Sequence, residues 1–182
     1  MTANDDRPNS AQLALAATLL TVSGLVTLWG YAFIAFPRLP SRIPAHFNGR
    51  GDPDRWVATT AASWFALPSF ATGVVGLTIA AVWFCRWAAI HRPQLVNIPF
   101  KDRFLAASPS RRSWIVEPIV VALAFEGFVL ASLFFLLLHG TEQVASGTWA
   151  SLPAAGFAFF LPLLILTPIA GVGWTCVRAA KP

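Results

Sequence analysis

The sequence predicts an all-α membrane protein of four transmembrane helices, with a structured Pro/Gly-rich first outer loop. Three observations carry that expectation. The chain is 56% apolar and only 12% charged, where soluble domains hold roughly 25% charged residues. Four apolar runs, at about residues 11–36, 61–89, 115–138 and 152–177, each reach the ~20 helical residues that cross a bilayer core. Between the first two runs, residues 37–56 read PRLPSRIPAHFNGRGDPDRW, with four prolines and two glycines. Helices are preferred over a barrel because the runs are continuously apolar, without the alternation of a membrane strand.

The first run follows a polar dozen, MTANDDRPNSAQ, and ends at Phe36-Pro37-Arg38 with no small-x-small cleavage pattern. It reads as a retained helix and not as a signal peptide. The outer loop, 37–60, is stiff by composition. Pro37, Pro40, Pro44 and Pro53 fix φ and remove amide donors, and Gly49 and Gly51 allow turns. A folded cap on the outer face is expected, with Trp56 near the interface. The second run carries Pro68, and the fourth Pro162 and Pro168, which should kink their helices. The inner loop, 90–114, interleaves Val96, Ile98, Phe100, Phe104 and Leu105 with Arg92, Lys101, Arg103, Arg111 and Arg112. Such a mixture suits an anionic membrane surface, and equally a topology-setting basic loop with some buried apolar residues. Gly73, Gly76, Gly171 and Gly173 form no GxxxG spacing and read as ordinary membrane-helix glycines.

Basic residues set the expected orientation. With the N-terminus inside, Arg7, Arg86, Arg92, Lys101, Arg103, Arg111, Arg112, Arg178 and Lys181 fall inside, against Arg38, Arg42, Arg50 and Arg55 outside: nine against four. The outer loop 139–151 has no Lys or Arg. The expectation is one integral domain, residues 1–182, in a bacterial plasma membrane with both termini cytoplasmic. The net charge of +5 is then largely a topology signal. No basic face with interleaved aromatics marks a nucleic-acid partner. Cys85 and Cys176 fall near inner helix ends and read as buried and unreactive.

At IPAHFNGRGDPDRW the chain resembles the membrane family called domain of unknown function 1648, which includes the immunity protein against a sporulation-delaying peptide toxin. The family pattern is matched at Leu39, Pro40, Ile43, Pro44, His46, Phe47, Asn48, Gly51, Asp54 and Trp56. Many members carry a glycine and a lysine shortly after the aspartate, where this chain has Val57, Ala58, Thr59 and Thr60. A looser inner-loop likeness includes Asn97, Ile98, Pro99, Lys101, Asp102, Leu105, Arg111 and Arg112. The resemblance implies a membrane protein with immunity as one role, and brings no settled activity.

Candidate chemistry centres on two places. The motif residues Pro44, His46, Phe47, Asn48, Gly51, Asp54 and Trp56 either bind a ligand or structure their own loop. His46 with Asp52 and Asp54 offers metal ligands, and His139 and Glu142 lie on the same expected side, so a mixed N/O site can be drawn. The second place is Glu126, mid-membrane in ALAFEGFVLA. A carboxyl there should face the bundle interior, as a proton site, or hydrogen-bonded to Ser69, Thr72 or Thr167. Glu117 reads as a solvated helix-start residue. No nucleophile–base set or phosphate loop is evident, and no cofactor is expected. Three functions follow: a non-enzymatic binding, sensing or immunity protein using the outer loop to engage a peptide, lipid or partner membrane protein; a small transporter or accessory subunit using Glu126; and a metal-dependent membrane enzyme at His46.

Overall fold

In a computed structural model that describes residues 10–181, the protein is mostly helical. Four helices are long and apolar enough to span a membrane: α1 (Ser10–Ala35), α2 (Ala61–His91), α4 (Pro109–Ala145) and α5 (Ala154–Ala180). A short helix, α3 (Lys101–Ala106), lies in the connection between α2 and α4. Arg7 of the basic tally lies outside the described residues.

The spans fall where the apolar runs do, but two ends differ. The α4 helix starts at Pro109, six residues before the expected 115, and continues to Ala145 instead of stopping at 138. Its start is set by chemistry that hydropathy does not see. The Ser108 side chain accepts from the Arg111 amide, and Pro109 takes the first helical position, where no amide bond is lost. His139 and Glu142, expected in a loop, are therefore helical. Glu117 is also corrected: it lies two turns inside α4, with its carboxylate 2.6 Å from the Arg178 guanidinium of α5. Arg178 also donates to the Trp114 carbonyl and lies over the Trp114 ring at 4.5 Å. Such a pair at the end of two spans fixes their relative depth.

The α4 helix is central. The α1, α2 and α5 helices each pack along it, while α5 makes no comparable contact with α1 or α2 among the described residues. The helices α1, α2 and α4 meet where Gly127 lets Thr21 and Thr78 approach. Thr21 is buried and donates across the interface to the Ala124 carbonyl at 2.9 Å. Small residues and hydroxyl bonds are how membrane helices associate, since lipid removes the apolar driving force between them. Of the glycines on α2 and α5, Gly171 packs tightly on Ala122 and the Pro118 carbonyl of α4, whereas Gly73, Gly76 and Gly173 have open space beside them.

The first connecting loop holds an antiparallel hairpin of β1 (Arg42–Phe47) and β2 (Pro53–Ala58). The strands were not legible in a segment so rich in proline. Proline is tolerated here because the pair stands alone, with edges that need no ladder donors. The register shifts on both sides of His46, pairing Pro44 with Trp56 and His46 with Arg55. The hairpin rests on an apolar cluster of Ile43, Leu28, Ala32, Trp64 and Leu138. Trp64, 1% exposed, donates to the Ala32 carbonyl of α1 at 2.8 Å. A reciprocal Thr60–Ser63 capping box starts α2 directly after β2, so the hairpin's exit angle is fixed.

Candidate functional site

The hairpin turn is built by Asn48. Its side-chain oxygen accepts from the Arg50 and Asp52 amides at 2.8 and 3.1 Å, and its backbone exchanges bonds with Gly51 and Asp52. This is the Asx chemistry that asparagine supplies in turns. Gly51 takes φ +85° and brings its carbonyl to the Leu152 amide at 2.9 Å. That bond ties the hairpin tip to the turn between α4 and α5. A Cβ at position 51 would meet the Leu152 carbonyl oxygen at 2.7 Å.

Across the two strands, His46 Nδ1 lies 2.6 Å from an Asp54 carboxylate oxygen. Both side chains are exposed. Asp54 thus faces His46, while Asp52 turns to Arg50 and Asn48. Pro44 is buried in β1, and Trp56, opposite it in β2, accepts from Arg42 through its carbonyl. Among the described residues no three His, Cys, Asp or Glu side chains gather around one point, so a metal at His46 has only the Asp54 pair to draw on.

Beneath the hairpin lies a cavity of about 990 Å³, open on one side. It exists because α2 and α5 both pack on α4 and leave a gap between themselves. Apolar side chains make most of its wall: Leu67 and Phe70 from α2, Leu137 from α4, Phe157 and Leu161 from α5. His46, Asn48 and Arg50 line its hairpin end. The arrangement suits an amphipathic guest, with an apolar part between helices and a polar part at the hairpin. Most ligand sites share this design of apolar walls with a few placed polar groups. Of the motif residues, Pro44, His46, Phe47, Asn48 and Gly51 line the cavity, whereas Asp54 and Trp56 act behind them.

One cluster escaped sequence reading. The Tyr31 hydroxyl of α1 donates to Glu142 and lies 2.7 Å from His139 Nδ1, both of α4. Arg38 stands 3.9 Å from the same carboxylate, and Trp149 meets the His139 ring edge-on. Tyr31 is the one tyrosine of the sequence, at the end of an apolar run, where tyrosines anchor to a membrane interface; that was the available signal. The cluster locks α1 to α4 near the hairpin, and His139 and Glu142 are joined to Tyr31 rather than to His46.

Glu126 lies mid-span with one carboxylate oxygen buried and without a hydrogen-bond partner among the described residues. The three partners considered for it are placed otherwise. Thr72 donates to the Pro68 carbonyl and accepts from Trp29, and neither Ser69 nor Thr167 reaches it. Cys85 and Cys176 are free thiols, half-buried.

Residues 24–72 match the family described as Domain of unknown function (DUF1648). That stretch runs from the middle of α1 through the hairpin into α2, and it is the part of the chain that is similar to that family. An uncharacterized protein of Archaeoglobus fulgidus is 25% identical over 128 residues, covering 67% of this chain and 68% of the relative. No solved structure matches the chain.

Proposed function

Starting from this family segment, we propose that the protein is a non-enzymatic binding protein of the plasma membrane. Its hairpin and the cavity beneath it take up an amphipathic ligand, a membrane-active peptide or a lipid. The carrying observation is that Pro44, His46, Phe47, Asn48 and Gly51, five motif residues within the matched segment, line the cavity. An immunity role, which the family resemblance implies, is the peptide form of this reading. An orientation with the hairpin outside and both termini in the cytoplasm is supported by the basic residues at the α2–α4 connection and the C-terminal end.

The test uses His46→Ala and Asp54→Ala in otherwise intact protein. Each removes one half of the pair that joins β1 to β2 at the cavity mouth. Ligand retention on purification, read by mass spectrometry of the extracted protein, should fall about ten-fold or more, as expected for losing a charge-assisted bond. The amount of protein in the membrane should not change, because both side chains are exposed. Unchanged retention in both variants would count against the binding reading.

A second reading is favoured by one observation, the partnerless buried oxygen of Glu126. A carboxyl oxygen left without a partner at mid-membrane is costly, and a proton-coupled small transporter or accessory subunit would have a use for it. In proteoliposomes under a pH gradient, Glu126→Gln should abolish proton-coupled flux while leaving helix content intact. Equal flux in wild type and variant would dismiss this alternative.

A further inference from the structure

The opposite end of the bundle carries side chains that the hairpin cavity does not use. Arg86 of α2 and Arg112 of α4 stand on helices that pack side by side. In each guanidinium one N–H nitrogen, Nη1 of Arg86 and Nε of Arg112, is buried with no hydrogen-bond acceptor among the described residues. A charged donor left without an acceptor is more costly than a neutral one. Both residues are half-buried. Glu117 interacts with Arg86 electrostatically, but its carboxylate is already engaged by Arg178. This end therefore has more cationic donors than anionic acceptors.

The segment joining the two helices adds to the imbalance. It holds Arg92, Lys101 and Arg103 against one acid, Asp102. It also exposes large apolar side chains: Leu95 at 57%, Phe100 at 51% and Leu105 at 40%. Phe100 adopts φ 60°, a conformation that an aromatic residue takes at a cost of about 1 kcal/mol or more. It holds its ring beside the Arg103 guanidinium, 5.6 Å from centroid to carbon. Basic and apolar side chains displayed together, between two membrane spans, match a surface where headgroups meet acyl chains. Arginine in particular forks onto phosphate oxygens.

We propose that this end of the bundle is a binding site for an anionic phospholipid. The lipid phosphate takes the orphaned donors of Arg86 and Arg112, and its chains lie against Leu95, Phe100 and Leu105. The site is independent of the hairpin cavity and stands whether or not that cavity binds a ligand.

The experiment is native mass spectrometry of the full chain released from nanodiscs containing equal amounts of phosphatidylglycerol and phosphatidylcholine with matched chains. Wild type should retain phosphatidylglycerol over phosphatidylcholine by about ten-fold, the scale set by one or two basic residues at a membrane surface. The Arg86→Gln/Arg112→Gln double variant should retain both lipids equally. Phe100→Ser, which leaves the arginines in place, should lower retention of both lipids and keep the preference. Equal retention of the two lipids by wild type overturns the proposal whatever the variants do. A preference that survives in the double variant overturns the assignment to these arginines. Displacement of lipid by a co-purifying protein, with no lipid preference in its absence, identifies a protein interface and overturns it as well.

Discussion

Gly51→Ala is expected to release the hairpin from the rest of the protein. The substitution puts a Cβ on a residue at φ +85°, where side chains other than glycine's are strained. It also drives that Cβ to 2.7 Å from the Leu152 carbonyl oxygen, a backbone atom that cannot rotate away. The Gly51–Leu152 hydrogen bond then has to break. Strain and lost bond together amount to about 2 kcal/mol or more, which raises the open population of the hairpin about 30-fold. Hydrogen exchange of the peptide covering residues 42–58 should accelerate accordingly, while the peptides of α1, α2 and α4 exchange as before. Gly49→Ala is the control: two residues away in the same turn, it has no atom within 4 Å of its Cβ position, so it should leave exchange unchanged. Protection of 42–58 that is equal in Gly51→Ala and wild type contradicts a hairpin held at its tip. Ligand retention should fall in parallel, because the same turn closes the cavity on the α5 side.

Gly127→Leu should have the largest effect on stability. Position 127 is where α1, α2 and α4 come together, and a Cβ there lies 2.7 Å from Thr78 Oγ1 and 2.9 Å from Thr21 Cγ2. Neither threonine has room to give. Thr21 is 1% exposed and holds the Ala124 carbonyl, and Thr78 bonds the Val75 carbonyl of its own helix. Four added carbons must separate the helices, at about 3 kcal/mol or more. In mild detergent the unfolding midpoint, read by the eight tryptophans, should drop by about 10 °C. Gly76→Leu adds the same side chain into open space and should shift the midpoint by no more than a degree or two. Equal midpoints for the two variants would mean that the three helices do not meet at Gly127.

The spans were legible because lipid demands long apolar runs, and such runs are visible one residue at a time. Their ends were less so. The α4 helix continues past its apolar stretch at both ends, and the signal for its start, Ser108-Pro109, is a matter of capping and not of hydropathy. Hydropathy alone therefore puts Glu117, His139 and Glu142 outside or at the edge of a helix. The motif loop announced its importance through Pro44, His46, Asn48 and Gly51, but the bond between His46 and Asp54 crosses a hairpin whose strands carry too many prolines to read as strands. Gly127 had no spacing signature, since its partners Thr21 and Thr78 come from two other helices. The cavity could not be read at all. It depends on α2 and α5 each choosing α4 as a neighbour, and no property of either helix alone states that choice.

The central claim is that the space beneath the hairpin holds a ligand and is not merely filled by bilayer. It is tested most directly by photo-crosslinking in living cells from two neighbouring positions of α5. Phe157 lines the cavity, while Phe159 is 65% exposed on the outer surface of the helix. The account predicts a discrete adduct of a defined peptide or lipid species from position 157, lost in the His46→Ala background, and only bulk phospholipid from position 159. The same bulk phospholipid from both positions, indifferent to His46→Ala, would contradict it.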